Sequence, residues 1–227
     1  MGRLHNWFVG EKKKISSMTP RTAAEYIWDY YKLWIIGIVC LVSLGLFVYG
    51  RVSTAMSEHW CYIMFADTRA EAGSGSKIWE DFVEYTGYDT SQKLLEFNAE
   101  AYFDYAENLG RGNRYYEMFA GFTDAGLLDA VTMETDSLTL LGASGRLLDL
   151  SRPECASIKE KYGDRFLYAL PIDTEYSTEE VPVGIDISDS RIVTEYHIYD
   201  ESCALGIGAF SGHIEAVEAF LDFLYAE

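Results

Sequence analysis

The sequence predicts an α/β protein in which one N-terminal transmembrane helix precedes a single compact domain with a mainly parallel sheet. Three observations predict this class. Residues 33–50 contain no charged side chain. From Trp60 onward, short apolar runs alternate with stretches whose apolar residues recur every three or four positions, as expected for strands that alternate with amphipathic helices. Acidic residues are concentrated after the apolar stretch, as expected for a solvated globular domain.

The chain begins with a basic segment. Residues 1–18, which include Lys12, Lys13 and Lys14, have no steady apolar period and predict a cytoplasmic arm. Thr19 and Pro20 then predict the start of a helix, because Thr is a favoured N-cap and Pro is tolerated at the first helical position. We expect this helix over residues 19–51, a tether over residues 52–59, and the outer domain over residues 60–227.

The segment from Leu33 to Gly50 predicts a single membrane span, with the lipid bilayer as its partner. Eighteen helical residues cover about 27 Å, close to the ~30 Å hydrocarbon core of a bilayer. Two alternatives remain. A buried core helix is rarely this long without a charge. A secretory signal cleaved after Ala55 normally has a shorter apolar region and a shorter segment before it.

Charge predicts the orientation and excludes one class of partner. Residues 1–32 contain six basic and three acidic residues, which predicts a cytoplasmic N-terminus and an extracellular C-terminal domain in the plasma membrane. Residues 52–227 contain 33 acidic and 11 basic residues, a net charge of −22. Such a surface repels phosphate groups, so we expect no nucleic-acid partner.

The outer domain contains six predicted strands and several predicted helices. Residues 60–66 are continuously apolar, which is typical of a strand that is covered on both faces. Further strands are predicted over residues 94–98, 127–133, 166–170, 181–185 and 203–210. Helices are predicted over residues 77–88, 115–122, 135–141, 155–162 and 213–225. Strand–helix–strand order implies crossover connections and therefore a mainly parallel sheet.

The predicted topology gives a candidate ligand site. Ligands of open parallel sheets bind beyond the carboxyl ends of the strands. The polar residues that follow the first three predicted strands are Asp67, Thr68, Asn98, Glu100, Thr135 and Asp136. An equally simple interpretation is that these residues form turns and cap helices.

Other chemistry is sparse in the sequence. The four histidines are far apart, and no pair of His or Cys has the spacing of a zinc site, so no metal or other cofactor is expected. No G-x-S-x-G motif is present, and no cysteine has the context of a nucleophile, so no catalytic residue is predicted. Three cysteines lie outside the span. Cys155 with Cys203 is the expected disulfide, because Cys61 lies in an apolar strand; the alternative is that all three are reduced.

One segment resembles a known family. The positions that carry the similarity are Asp129, Val131, Asp136, Leu140, Gly145, Leu148, Asp149 and Leu150. They resemble the segment of extracellular solute-binding proteins of ABC importers in which a strand with an Asp leads to a second Asp, a helix, a glycine turn and Leu-Asp-Leu. Residues 30–32 and 182–186 are similar to uncharacterised single-pass membrane proteins of Gram-positive bacteria. The resemblance implies a shortened outer domain that corresponds to one lobe of a periplasmic-binding-protein fold.

Two function classes follow. The first is a non-enzymatic, solute-binding-like domain at the cell surface that recognises a small molecule or a partner protein. The second is a surface hydrolase that uses carboxylates of the outer domain. The lack of an assembled nucleophile, metal or phosphate motif favours the first.

Overall fold

The chain divides into two units. The structure, a computed structural model, describes residues 18–55, 59–91, 93–102, 105, 112–173 and 177–226. The first unit covers Met1–Ser57 and the second Glu58–Glu227. The predicted basic arm lies outside the described residues except for Met18.

The first unit contains helix α1, which runs for 36 residues over Pro20–Ala55. It begins at the predicted residue, and the N–H of Ala23 donates to the carbonyl of Thr19 at 2.9 Å. Helix α1 continues through the first four residues of the predicted tether over residues 52–59, because Val-Ser-Thr-Ala contains neither glycine nor proline. The last residue of the predicted tether, His59, already belongs to the sheet. Residues 56–58 lie outside the described residues.

Apolar side chains of α1 are exposed to solvent in this structure, among them Leu33 (78%) and Leu41 (73%). Within the part of the chain that the structure describes, no helix is both long enough and apolar enough to cross a membrane. The side chains at positions 35 and 48–50 of the predicted span lie outside that part. The span therefore stays a prediction.

The second unit is a mixed α/β domain built on one six-stranded sheet with the strand order β2-β1-β3-β6-β5-β4. The strands are β1 His59–Phe65, β2 Leu94–Asn98, β3 Ala130–Met133, β4 Phe166–Ala169, β5 Val181–Asp186 and β6 Ala204–Ile207. The helices are α2 Lys77–Thr86, α3 Arg114–Asp124, α4 Thr135–Gly142, α5 Ala156–Tyr162, α6 Arg191–Thr194 and α7 Ile214–Leu224, with 3₁₀ turns at Pro153–Cys155 and Gly163–Arg165.

The prediction of a mainly parallel sheet is wrong. β1 pairs in parallel with β2 and β3, whereas the β3–β6, β6–β5 and β5–β4 pairs are antiparallel. A parallel connection needs a substantial crossover, usually a full helix. Between β5 and β6 the structure has only the four-residue α6, and between β4 and β5 the described residues contain no helix. These later strands therefore alternate in direction.

Both faces of the sheet are covered, as the apolar sequence of β1 predicts. Cys61, Ile63 and Phe65 point to one face, where they join a core formed with α2, α5 and α7. Tyr62 and Met64 point to the other face, where they pack with α3 and α4. The period of two in a strand thus gives β1 two buried faces, and its five residues from Cys61 to Phe65 are all buried.

Helix α4 packs unusually close to the antiparallel half of the sheet. A Cβ atom at Gly184 of β5 would lie 2.3 Å from Cδ2 of Leu138, and one at Gly142 would lie 2.3 Å from Cγ2 of Val183. Real Cβ atoms do not come this near to another carbon, so the two glycines are what permit the contact.

The predicted disulfide between Cys155 and Cys203 is not formed in the structure. Both are free, fully buried thiols that belong to the same core as Cys61. Burial raises the pKa of Cys155 to about 11 and the pKa of Cys203 well above its ordinary value. The thiols are therefore protonated and pack as small apolar side chains.

Candidate binding clefts at the carboxyl edge of the sheet

Three neighbouring strands end at one edge of the sheet. Because β2, β1 and β3 are adjacent and parallel, their carboxyl ends lie together, as the predicted site requires. The structure separates the six predicted residues. Asp67 and Thr68 line one cleft, Asn98 and Glu100 line a second, and Thr135 and Asp136 line neither. Ala70 lines both clefts, so the two lie side by side.

The first cleft, here named the Asp67 cleft, has a volume of about 410 Å³. It is lined by Asp67, Thr68, Arg69, Ala70, Glu134, His197, Ile198, Tyr199 and Asp200. Residues 67–70 follow β1, Glu134 stands between β3 and α4, and residues 197–200 belong to the connection from α6 to β6. Three separate connections therefore form its wall.

The hydroxyl of Thr68 ties two of these connections together. It donates to the carbonyl of Ile198 at 2.6 Å and accepts from the N–H of Ala70 at 3.1 Å. The N–H of Asp67 donates to the carbonyl of Ala101 at 2.9 Å, which continues the hydrogen bonding beyond the end of β1. The wall of the cleft is thus held by hydrogen bonds within the protein, made by the Thr68 hydroxyl and by the main chain.

Tyr199 supports the floor of the same cleft. It is 5% exposed, and its hydroxyl lies 2.9 Å from the carbonyl of Ala66, 2.7 Å from the carbonyl of Thr132 and 3.1 Å from the Thr132 hydroxyl. Burial raises the pKa of Tyr199 well above its ordinary value, so the hydroxyl keeps its proton and can donate. The residue joins the ends of β1 and β3 to the connection that carries His197 and Asp200.

Backbone strain is concentrated in the Asp67 cleft. Among the residues that the structure describes, the non-glycine residues with positive φ are Asp67 at 57° and His197 at 50°, and both line this cleft. Asp and His tolerate this region better than most residues, but it still costs of order 1 kcal/mol each. Strained residues are common at functional sites, which makes this cleft the better candidate of the two.

The second cleft, here named the Glu96 cleft, has a volume of about 650 Å³ and is lined by residues 70–76 and 96–100. Ser74 holds its two sides together: its N–H donates to the carbonyl of Phe97 at 2.9 Å, and its Oγ accepts from the N–H of Phe97 at 2.9 Å. The Oδ1 atom of Asn98 accepts from the N–H of Glu100 at 3.0 Å, so the Asn98 oxygen forms a turn, as the simpler interpretation of the sequence expects.

Both clefts are negatively charged. The Asp67 cleft has three carboxylates, those of Asp67, Glu134 and Asp200, against the guanidinium of Arg69. Glu71, Glu96 and Glu100 line the other cleft. In the described part of the chain no three His, Cys, Asp or Glu side chains converge as a metal site would require. The charges therefore disfavour anions and are compatible with neutral or cationic ligands.

Glu134 and residues 197–200 were not among the predicted site residues, although Glu134 directly follows the third predicted strand. Residues 197–200 follow a later strand, β5, whereas the predicted site contained only residues that follow the first three strands. β5 is antiparallel to β6, which is antiparallel to β3, so β5 points in the same direction as β1 and also ends at this edge. The chain that leaves β5 must cross the edge and brings His197 to Asp200 with it. The direction of β5 is a tertiary property with no local signal in the sequence.

Asp129, which belongs to the segment that resembles solute-binding proteins, lies at the opposite, amino end of β3. It is 1% exposed and accepts from the N–H of Tyr62 at 2.8 Å and from the Ser211 hydroxyl at 2.6 Å, while Nδ1 of His213 lies at 3.1 Å. Ser and His thus both contact the carboxylate. A nucleophilic triad instead needs the histidine between the serine and the acid. The cluster fixes the start of α7 to the sheet.

The second unit is therefore a mixed-sheet α/β domain with polar clefts at the carboxyl edge of its parallel strands. No known family model matches the sequence, and no curated protein matches it. A solved structure of a cysteine-to-serine mutant of OxyR from Corynebacterium glutamicum, with bound hydrogen peroxide, aligns with 91% of this chain and 74% of that chain at 12% identity and a TM-score of 0.27. A TM-score that low carries no information on function.

Proposed function

We propose that this chain is a membrane-held, non-enzymatic binding protein whose α/β domain takes up a small neutral or cationic solute in the Asp67 cleft. One observation supports the proposal most: three connections meet around a pre-formed polar cavity, and both described non-glycine residues with positive φ line it. Small-molecule sites are concave, largely pre-formed and placed at such sheet edges. We also propose that the α/β domain corresponds to one lobe of a periplasmic-binding-protein fold.

The proposed membrane location is supported by the apolar segment and by the distribution of charge along the chain. The uncharged residues 33–50 follow a basic segment and lie within one continuous helix, Pro20–Ala55. Residues 52–227, which follow, carry a net charge of −22. Basic residues are retained on the cytoplasmic side of a span, so the proposal places the acidic domain outside the cell.

The ligand is tested by thermal unfolding of the full chain against sugars, amino acids and small amines, with phosphates and carboxylates for comparison. A solute that binds the folded state raises the unfolding midpoint with the logarithm of its concentration. We expect a response from at least one neutral or cationic solute and none from the anions.

Two variants connect a response to the cleft. Asp67→Asn removes the charge but keeps a residue type that tolerates positive φ, and it should weaken binding about tenfold or more. Glu84→Gln changes an exposed carboxylate on α2 and should leave binding unchanged. A panel without any response, or equal binding by Asp67→Asn and the unchanged protein, contradicts the proposed cleft.

The alternative function, a surface hydrolase, would use the same Asp67 cleft. Asp67, Glu134 and Asp200 bring three carboxylates to it. Glycoside hydrolysis needs a pair of such groups on either side of the scissile bond. Release of reducing sugar from an oligosaccharide by the unchanged protein, and its loss in Asp67→Asn and in Glu134→Gln, would replace the binding proposal with this one.

A further inference from the structure

The two edge strands of the sheet differ in how their outer sides are covered. At β2, the indole N–H of Trp79 donates to the carbonyl of Leu95 at 3.1 Å, and Ser74 satisfies both the carbonyl and the N–H of Phe97. Side chains and a loop thus occupy the polar groups along this edge. Such coverage is a common protection against pairing with another chain.

At the other edge, the described residues cover the outer side of β4 only near its ends: the N–H of Phe166 donates to the carbonyl of Gly163, and the N–H of Ile172, beyond the strand, donates to the carbonyl of Ala143 at 2.9 Å. For Leu167, Tyr168 and Ala169, no described residue outside the β4–β5 pair bonds to a main-chain group. An uncovered edge of this kind can accept an extended segment of another chain through main-chain hydrogen bonds.

The register shows which groups are open. Tyr168 lies opposite Pro182 of β5. Pro182 has no N–H, and its carbonyl accepts from the N–H of Leu150 at 2.9 Å, so its main-chain groups are not bonded to β4. In an antiparallel pair of this kind, both residues turn their N–H and C=O groups outward. Tyr168 therefore directs its N–H and C=O groups to the outer side of β4, which ends one residue later at Ala169.

Exposed apolar side chains follow the same edge. Tyr168 is 51% exposed, and Leu170, which directly follows β4, is 55% exposed. Ile172 is also exposed but lies beyond the edge, where its N–H donates to the carbonyl of Ala143 at 2.9 Å. Alternate residues of an extended segment point to the same side. An open edge therefore coincides with a short row of apolar side chains, which edge-binding partners use for specificity.

Charge indicates what could bind there. The described residues between β4 and β5, 170–173 and 177–180, contain three acidic residues, Asp173, Glu179 and Glu180, and no basic one. A second copy would bring its own acidic segment to the same edge, and residues 52–227 as a whole carry a charge of −22. Like charges oppose that pairing, whereas a basic segment is attracted.

We propose that β4 is a docking edge for an extended segment of a partner protein that carries apolar residues at alternate positions and lysine or arginine at its ends. The segment adds a seventh strand beside β4 and pairs with the main chain of Tyr168. This inference is independent of the Asp67 cleft, which lies at the carboxyl edge of the parallel strands.

The probe is a fluorescent peptide, KKVTVTVKK, titrated with the full chain in nonionic detergent. Two matched peptides separate charge from strand formation: EEVTVTVEE keeps the apolar residues, and KKVTPTVKK keeps the lysines but cannot extend the sheet. We expect the first peptide to bind at least about tenfold more tightly than either of the others.

Variants at Tyr168 test the edge itself. Tyr168→Pro removes an outward N–H without removing a bond to β5 and should weaken binding of KKVTVTVKK about tenfold or more, whereas Tyr168→Ala keeps the N–H and should weaken it less. The thermal midpoint of each variant reports whether it is folded. If Tyr168→Pro does not fold, Tyr168→Lys places a repelling charge on the edge and should have the same effect on peptide binding.

Three results would overturn the proposal. They are equal binding by a folded Tyr168→Pro and the unchanged protein, equal binding of the lysine and glutamate peptides, and self-association in sedimentation that Tyr168→Pro abolishes. The last result would assign the edge to a second copy of this chain.

Discussion

The carboxylate of Asp81 joins helix α2 to the segment that follows α6. It lies on α2, where Nζ of Lys77 contacts it at 2.5 Å, and the hydroxyl of Tyr196, just after α6, donates to it at 2.7 Å. The hydrogen bond from Lys77 lowers the pKa of Asp81 below its ordinary value, against an opposing effect of burial, and the bond from Tyr196 lowers it further. The same bond to Asp81 raises the pKa of Lys77.

This arrangement predicts a change of stability with pH. A carboxyl whose pKa is lower in the folded state stabilises the fold above its unfolded pKa of about 4, and that contribution disappears as the pH falls through the lower folded pKa. Asp81→Asn should therefore reduce the free energy of unfolding at neutral pH and lose less of it on acidification than the unchanged protein. Urea unfolding at several pH values measures this.

Glu84→Gln is the control for Asp81→Asn, because Glu84 is an exposed carboxylate on the same helix. Its pH profile should follow that of the unchanged protein. Stability curves for Asp81→Asn and the unchanged protein that run parallel from about pH 7 to pH 3 would contradict the role assigned to Asp81.

The close contact between α4 and the sheet gives a prediction about how these elements pack. Gly184→Ala would place its Cβ 2.3 Å from Cδ2 of Leu138, so the buried Leu138 side chain must change its conformation, or the helix or the strand must move. Overpacking of this kind typically costs about 1–3 kcal/mol, and we expect a loss in that range in chemical unfolding.

Gly121→Ala tests the same substitution without the crowding. Gly121 lies within α3, is exposed, and a Cβ there meets nothing within 4 Å. Alanine is the better helix former by up to about 1 kcal/mol, so this variant should be as stable as the unchanged protein or more stable. A stabilised Gly184→Ala variant would show that α4 does not need the glycine.

Element identity could be predicted from the sequence, but strand direction could not. β2 was predicted with its observed limits, Leu94–Asn98, and β1 lies within one residue of its prediction, because both have clear apolar patterns and turn residues at their ends. The directions of β4, β5 and β6 depend on which strands pair in space. No local sequence pattern indicates which strands pair, so the prediction of parallel strands was wrong for β4, β5 and β6.

Because strand direction could not be predicted, only part of the candidate site could be predicted from the sequence. Asp67 and Thr68 were identified because they directly follow β1, and they do line a cleft with residues from other connections. Asn98 and Glu100 line a neighbouring cleft, in which the Asn98 oxygen forms a turn. His197 and Tyr199 were missed, since they reach the cleft only through the direction of β5. A cleft that combines distant segments can be predicted only once the topology is known.

At the scale of the whole molecule, the account depends on where the two units are in the cell. The first unit supplies an uncharged helical segment, and the second supplies an acidic domain with a polar cleft and an open edge. Solute capture at the Asp67 cleft and peptide docking at β4 are functions of a surface protein only if the second unit is outside the cytoplasm.

Protease treatment of intact cells tests this most directly, with an epitope tag at the C-terminus and an impermeant protease. The account predicts that the tag is lost from intact cells as fast as a known surface protein, while a cytoplasmic marker remains, and that the residual fragment stays in the membrane after alkaline carbonate extraction. A tag that survives until the cells are lysed, or a chain that carbonate releases, would contradict it.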